Sequence, residues 1–291
     1  MYAIKTEKLT KAYGESRGIT EVDLLVEKGD FFGFIGPNGA GKSTTIRTLL
    51  GLIEKSSGEA YVLGKDIAKN RSEILADVGY MPSDSAFYSG MRVSEMLTLS
   101  AKLRGVDCTE EAKRLSERLE LDTSRKIDEL SFGNRKKVGI VLALQHKPSL
   151  YILDEPTSGL DPLMQREFYN ILKERNEEGA TVFLSSHVLS EVGKYCKKAA
   201  VIRDGRILIS DSVEKLAHTG IKKVWISGIS ELPEDFGAVD IKVENGSLSF
   251  FYDKSVESLV SSLSKIHFAD LNITEPDLEE IFMHYYARKE K

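Results

Sequence analysis

Cysteine is scarce in this chain of 291 residues: Cys108 and Cys196 are too few and too far apart for a disulfide framework, so a reducing, cytosolic setting is the simplest reading. Long apolar runs are missing too. A stretch such as Val138 to Leu144, VGIVLAL, carries a glycine and falls far short of the roughly 20 residues needed to cross a bilayer. The opening letters MYAIKTEKLT hold no apolar h-region and do not read as a secretory signal. Basic charge is not in excess: 40 Lys and Arg against 45 Asp and Glu give a net charge of −5, and from Lys215 onward 13 acidic residues face 9 basic ones. Bulk attraction to polyanions is therefore disfavoured, with only a local basic patch left open, and no nucleic-acid partner is expected. What remains, 41% hydrophobic and 29% charged residues, is an ordinary globular composition with length for about two domains.

Against that plain background one stretch stands out. DFFGFIGPNGAGKSTT is an apolar strand running into Gly36, Pro37, Asn38, Gly39, Ala40, Gly41, Lys42, Ser43 and Thr44, which fits G-x-x-x-x-G-K-[ST]. The glycines let the backbone turn and bring several N–H groups towards one phosphate chain. A helix beginning near Lys42 adds its positive N-terminal end, and Lys42 adds a mobile cation. Ser43 places a hydroxyl where a phosphate-bound Mg²⁺ needs an oxygen ligand. A Gly-rich strand-to-helix turn without a ligand would use some of the same letters, but the motif sits between strand and helix as phosphate binding requires.

A second apolar strand, read from Leu150, ends at Asp154 and Glu155 in LYILDEP. Ligands bind at the C-terminal ends of strands in open α/β sheets, so Asp154 is the candidate acid on the Mg²⁺ side and Glu155 the candidate general base for an attacking water. Taken alone, two acids leading into a Pro turn would be unremarkable. Between the two motifs lies ELSFGNRKKVGI, in which Ser131 is a favoured N-cap and the following apolar letters have helical period, so a helix is expected to start near Phe132.

GPNGAGKST, then LSFGN, then LDEPTSGLD, in that order, resemble the nucleotide-binding subunit of an ABC transporter, over about residues 1 to 214. The resemblance implies a P-loop NTPase core with a mostly parallel sheet, ATP and Mg²⁺ as cofactors, and catalysis by Lys42, Glu155 and His187, the last matching the switch histidine after TVFLSS. It implies that LSFGN stands for the signature LSGGQ, with Ser131, Gly133 and Asn134 closing over ATP held by a second subunit, hence a head-to-tail dimer. Phe132 for Gly and Asn134 for Gln depart from the family pattern. Tyr13 matches the aromatic that stacks on adenine, although strand-end packing is the ordinary role of such a Tyr. Ser158 to Asp161 resemble the D-loop. In VGYMPSDSAFYSGM the resemblance puts Asp84 at the place of a Mg²⁺-contacting Gln, with three roles open for it: metal ligand, ligand through water, or cap of the next turn.

A mostly helical segment is expected from about residue 79 to 148, inserted in the α/β core, with Glu110 supporting Arg114 four residues on. Asp204-Gly205 and Asn245-Gly246 read as hairpin turns. Residues 215 to 291 read as a small α+β domain ending in an amphipathic helix with Leu278, Ile281, Phe282 and Tyr285 on one side, a face suited to core or dimer packing. The ending resembles ATPase subunits of bacterial exporters of the ABC-2 type. The resemblance thus implies a separate transmembrane permease as partner, docked around Asp84 to Arg92, and a peripheral place at the inner face of the cell membrane. Import, or a soluble non-transport role, stays open as the alternative. A P-loop kinase or GTPase would lack LSFGN and SGLD.

Overall fold

The computed structural model describes residues 1–14, 16–217, 221–233, 235–244, 246–276 and 280. The chain divides into two compact units, Met1–Asp211 and Ser212–Lys291.

In the first unit the order is β1 (Tyr2–Tyr13), β2 (Ser16–Glu27), β3 (Phe31–Ile35), α1 (Lys42–Leu49), β4 (Ser57–Val62), β5 (Lys65–Asp66), α2 (Arg71–Ala76) and β6 (Val78–Met81). Three helices follow, α3 (Val93–Arg104), α4 (Thr109–Arg118) and α5 (Phe132–Leu144). The chain then returns to β7 (Leu150–Asp154), α6 (Pro162–Glu177), β8 (Thr181–Ser186), α7 (Leu189–Tyr195), β9 (Lys198–Arg203) and β10 (Arg206–Ser212). Six of these strands form one sheet in the order β10-β9-β3-β8-β7-β6, and β9, β3, β8, β7 and β6 are mutually parallel along it. Strands covered on both faces must be apolar throughout. FFGFI, LYILD and TVFLSS accordingly become β3, β7 and β8, each buried at every position.

Register fixes what the sheet presents. Ile35 pairs with Ser186, Asp154 with Ser185, and Leu153 with Met81, so β3, β7, β8 and β6 end level with one another. The residues that follow each strand leave the same edge together. Asp204 and Gly205, at φ 48° and 76°, make the two-residue turn between β9 and β10 that an Asp-Gly pair favours. A second sheet, β2-β1-β4-β5, is antiparallel. Its inner side chains Ile4, Leu24 and Val62 share one core with Ile46 and Leu49 of α1 and with Phe32, Phe34, Ile152 and Phe183 of the main sheet. Each such fully buried side chain contributes roughly 1.5–3 kcal/mol of transfer free energy.

Val78–Met81 form a strand of the main sheet, so the helical part begins after it rather than at residue 79. The expected Glu110–Arg114 pair is replaced by Arg114 with Glu111, 2.8 Å apart, because Glu111 is also where Lys147 and the buried Arg175 of α6 converge. This ion cluster ties α4 to α6. Burial alone would raise the Glu111 carboxyl, but hydrogen bonding from Arg114 and the charge of Arg175 outweigh it and hold the group below its ordinary value.

The second unit contains α8 (Val213–Ala217), β11 (Lys222–Ser227), β12 (Ala238–Glu244), β13 (Ser247–Tyr252), α9 (Val256–Leu263) and β14 (Asp270–Thr274). Its antiparallel sheet, β12-β13-β11-β14, buries Val224, Ile226, Phe250 and Tyr252 against Leu259 and Leu263 of α9. Ser255 caps that helix by accepting from the Ser258 N–H, as a favoured N-cap residue should. Asn245 and the expected terminal-helix residues Leu278, Ile281, Phe282 and Tyr285 lie outside the described residues.

Glu111→Ala should destabilise the protein by about 3 kcal/mol at neutral pH, because Arg175 loses its buried partner and keeps only Glu178. Glu111 has a depressed folded pKa, so its contribution is present above its unfolded pKa of about 4.3 and is lost as pH falls through the folded value. Urea unfolding of both proteins should therefore show the gap narrowing below about pH 4.

Candidate active site

The loop from Gly36 to Gly41 joins the end of β3 to the start of α1. Its shape needs glycine at both ends. A Cβ on Gly36 would lie 2.4 Å from the Ile202 carbonyl oxygen, and Gly41 sits at φ 108°, where other residues are strained. The result is a hollow of about 380 Å³ lined by Pro37, Asn38, Gly39, Gly41, Lys42, Ser43 and Thr44, with Gly18, Ser83 and Glu155 on the other walls. Gly36 and Ala40 do not line it; they support the loop, Ala40 by donating its N–H to the Pro37 carbonyl at 3.1 Å. Lys42 is buried and donates from Nζ to the carbonyls of Gly36 at 2.7 Å and Pro37 at 3.2 Å. An ammonium at a helix N-terminus, ringed by loop backbone, is suited to a polyphosphate.

The level strand ends bring Glu155 to this hollow, with Asp154 buried one residue before it and not on its wall. Glu155 Oε1 lies 3.1 Å from Lys42 Nζ, and Glu155 Oε2 lies 2.9 Å from His187 Nδ1, so Lys42, Glu155 and His187, far apart in sequence, meet at one carboxylate. Glu155 adopts φ 49°, an uncommon conformation for a residue with a side chain. Its N–H is held by the carbonyl of Ser185 at 3.1 Å and by the Ser185 hydroxyl at 3.3 Å. The same hydroxyl donates to Asp154 Oδ1, and Asp154 is fully buried. Ser185 thus fixes both acids. Nothing in TVFLSS distinguished it from an ordinary strand serine.

Oxygen donors are what a hard cation takes; Ser43 lines the hollow, whereas Asp154 is buried behind it with Ser185 as donor. Among the described residues no group of three or more His, Cys, Asp or Glu side chains could hold a metal. Asp84 is not among the residues lining the hollow. Its side chain is exposed, whereas Ser83 forms part of the wall. Because β6 ends at Met81, Pro82 and Ser83 emerge first over the sheet edge, and Asp84 is one step beyond.

The remaining expected residues stand apart from this hollow. Ser131 is the N-cap of α5 and accepts from the Asn134 N–H at 3.4 Å, so the helix starts at Phe132 as expected. Neither Ser131, Gly133 nor Asn134 lines the Lys42 hollow. Phe132, in place of glycine, lies over Gly159, where an added Cβ would meet its ring at 2.4 Å. Tyr13 is exposed at the end of β1 with Lys11 Nζ 5.1 Å from its ring centroid; across the hairpin, Gly18 is the residue that touches the hollow. Lys136 went unnoticed in the sequence, where a lysine in a run of basic residues reads as a solvated face. It is buried.

A family model described as ABC transporter matches residues 19–158. The chain is 39% identical over 214 residues to the bacitracin transport ATP-binding protein BcrA of Bacillus licheniformis, covering 70% of this chain and 68% of that protein. It is 32% identical to the linearmycin resistance ATP-binding protein LnrL of Bacillus subtilis, covering 98% of both. A solved structure of an ATP-binding subunit of an ABC transporter superposes with a TM-score of 0.69 at 30% identity, covering 74% of this chain and 91% of that one. A dimeric structure of the bacterial ABC transporter cassette MJ0796 gives 0.66 at 25% identity, covering 72% and 98%.

Gly36→Ala should weaken binding of a nucleoside triphosphate about tenfold or more, since the loop must shift to clear Ile202, while circular dichroism stays that of the wild type. Calorimetric titration reads the affinity.

Proposed function

The chain belongs to the ABC transporter family as an ATP-binding, ATP-hydrolysing subunit, and we propose that it drives a separate membrane permease in the direction of export. The observation that carries the catalytic assignment is the convergence of Lys42 and His187 on the Glu155 carboxylate beside the phosphate-shaped loop. Relatives that transport bacitracin or confer linearmycin resistance support the direction.

In this reading the backbone N–H groups of residues 37–44 and the Lys42 ammonium hold the β- and γ-phosphates. Glu155 Oε2 accepts the hydrogen bond of a water and orients it towards the γ-phosphorus, taking its proton as the bond to the leaving oxygen breaks. His187, which already contacts that carboxylate, holds it in place and reaches the γ-phosphate. Ser43 and Asp154 would hold a bound Mg²⁺, which would supply positive charge to neutralise the phosphates. Tyr13 is the proposed adenine contact.

Ser131, Gly133 and Asn134 do not line their own chain's hollow, which supports the assignment that they close over ATP bound to a second subunit in a head-to-tail dimer. No helix among the described residues is long and apolar enough to cross a membrane, so the permease is a different polypeptide in this proposal, and the ATPase sits at the inner face of the membrane through it. The exposed segment around Tyr88 is the proposed docking site.

Lys42→Ala should weaken ATP binding at least tenfold; wild-type affinity by titration would contradict the phosphate assignment. Glu155→Gln should bind ATP normally yet hydrolyse it about 10²–10⁴ times more slowly, measured by phosphate release, because only the base is removed. Turnover at the wild-type rate would place the base elsewhere.

A further inference from the structure

Lys136 sits in the second turn of α5, five residues beyond the N-cap Ser131, and is 3% exposed. Its Nζ donates to the carbonyl oxygen of Ser83 at 2.5 Å and to the carbonyl oxygen of Glu155 at 3.2 Å. One ammonium therefore joins three segments: the helix that begins with LSFGN, the loop after β6 that walls the phosphate hollow, and the peptide of the proposed base.

The bond to Glu155 falls where the backbone needs it. At φ 49° the Glu155 backbone lies in a conformation that residues with a side chain rarely adopt, so surrounding contacts must hold it. Ser185 holds the N–H side. Lys136 holds the carbonyl side. Burial holds the Lys136 ammonium below its ordinary value, and the charges of Asp84, Asp154 and Glu155 offset only part of that. Phe132, with its ring centroid 6.0 Å from Nζ and its edge against Gly159, adds a second contact between the same helix end and the loop after Glu155.

The geometry points to Lys136 as a positioning residue that locks the Glu155 peptide in its left-handed conformation and makes the carboxylate move with the Ser131 end of α5. The chain then carries a direct link between the segment that would serve its partner's ATP and the base that serves its own. Movement of α5 on closing over a second subunit shifts the Glu155 carbonyl through Nζ. The inference rests on Glu155 being the base.

The test uses the full chain, with steady-state ATP hydrolysis, ATP affinity and thermal unfolding measured in parallel. Lys136→Met keeps the length and removes the donors; its kcat should fall about tenfold or more with KM for ATP within about twofold. Lys136→Gln restores two N–H donors and should recover most of that loss. In a Glu155→Gln background, Lys136→Met should produce little further loss, since the residue it positions no longer acts. A wild-type kcat in Lys136→Met, or the same loss in both backgrounds, would overturn the inference. If Lys136→Met does not fold, a folded Lys136→Gln should keep kcat within about threefold of wild type, and one as slow as Glu155→Gln would contradict the role. Full activity of Glu155→Gln itself would instead remove the reading of the base.

Discussion

The parallel register of β3, β7 and β8 sets Ile35 beside Ser186 and Asp154 beside Ser185, and the site depends on it. Successive residues of a strand point to opposite faces, so a one-residue slip would turn the Ser185 hydroxyl away from Asp154 and carry Glu155 away from Lys42. What opposes the slip is the close packing of side chains on both faces of all three strands, which would have to be rebuilt. The apolar core and the polar site are thus one construction: core packing holds the register, and the register assembles the charges.

Those charges would be costly to bury singly. Lys42 is almost fully buried, and it is tolerated because two loop carbonyls and Glu155 surround it. Asp154 is buried with the Ser185 hydroxyl as donor. Lys136 is buried with two carbonyl acceptors. Each group has a specified partner, and the partners sit on different strands or loops, so the network also fixes how the strand ends are arranged in space. The strained peptide of Glu155 is the point at which these constraints meet, with Ser185 on one side of it and Lys136 on the other.

Much of this was legible in the letters. Buried parallel strands announce themselves as continuous apolar runs, the phosphate loop by its glycines and lysine, and the start of α5 by Ser131. The tail was readable only as a small α+β unit, with β14 unread, and the Asp204-Gly205 turn as a hairpin pair. Less legible was whatever depends on one residue of offset or on a partner remote in sequence. Asp84 and Ser83 are adjacent, and only the end of β6 decides which one reaches the hollow. Glu111 rather than Glu110 meets Arg114, because Arg175, distant in the chain, draws the cluster to it. Lys136 and Lys137 look alike in sequence; their neighbours in space separate them. The four-stranded antiparallel sheet also went unread as a unit, since its strand β4 joins β1 across the whole of the phosphate loop and α1.

Among the described residues the phosphate hollow and the LSFGN helix end do not meet within one chain. The central claim is that they meet between chains around ATP. The most direct measurement is the molar mass of Glu155→Gln in solution, by light scattering, with and without Mg-ATP. The account predicts a monomer without nucleotide and a dimer with it, returning to monomer when Ser131 is also replaced by a bulky residue. A protein that binds Mg-ATP with full affinity and keeps the mass of one chain would contradict the composite site.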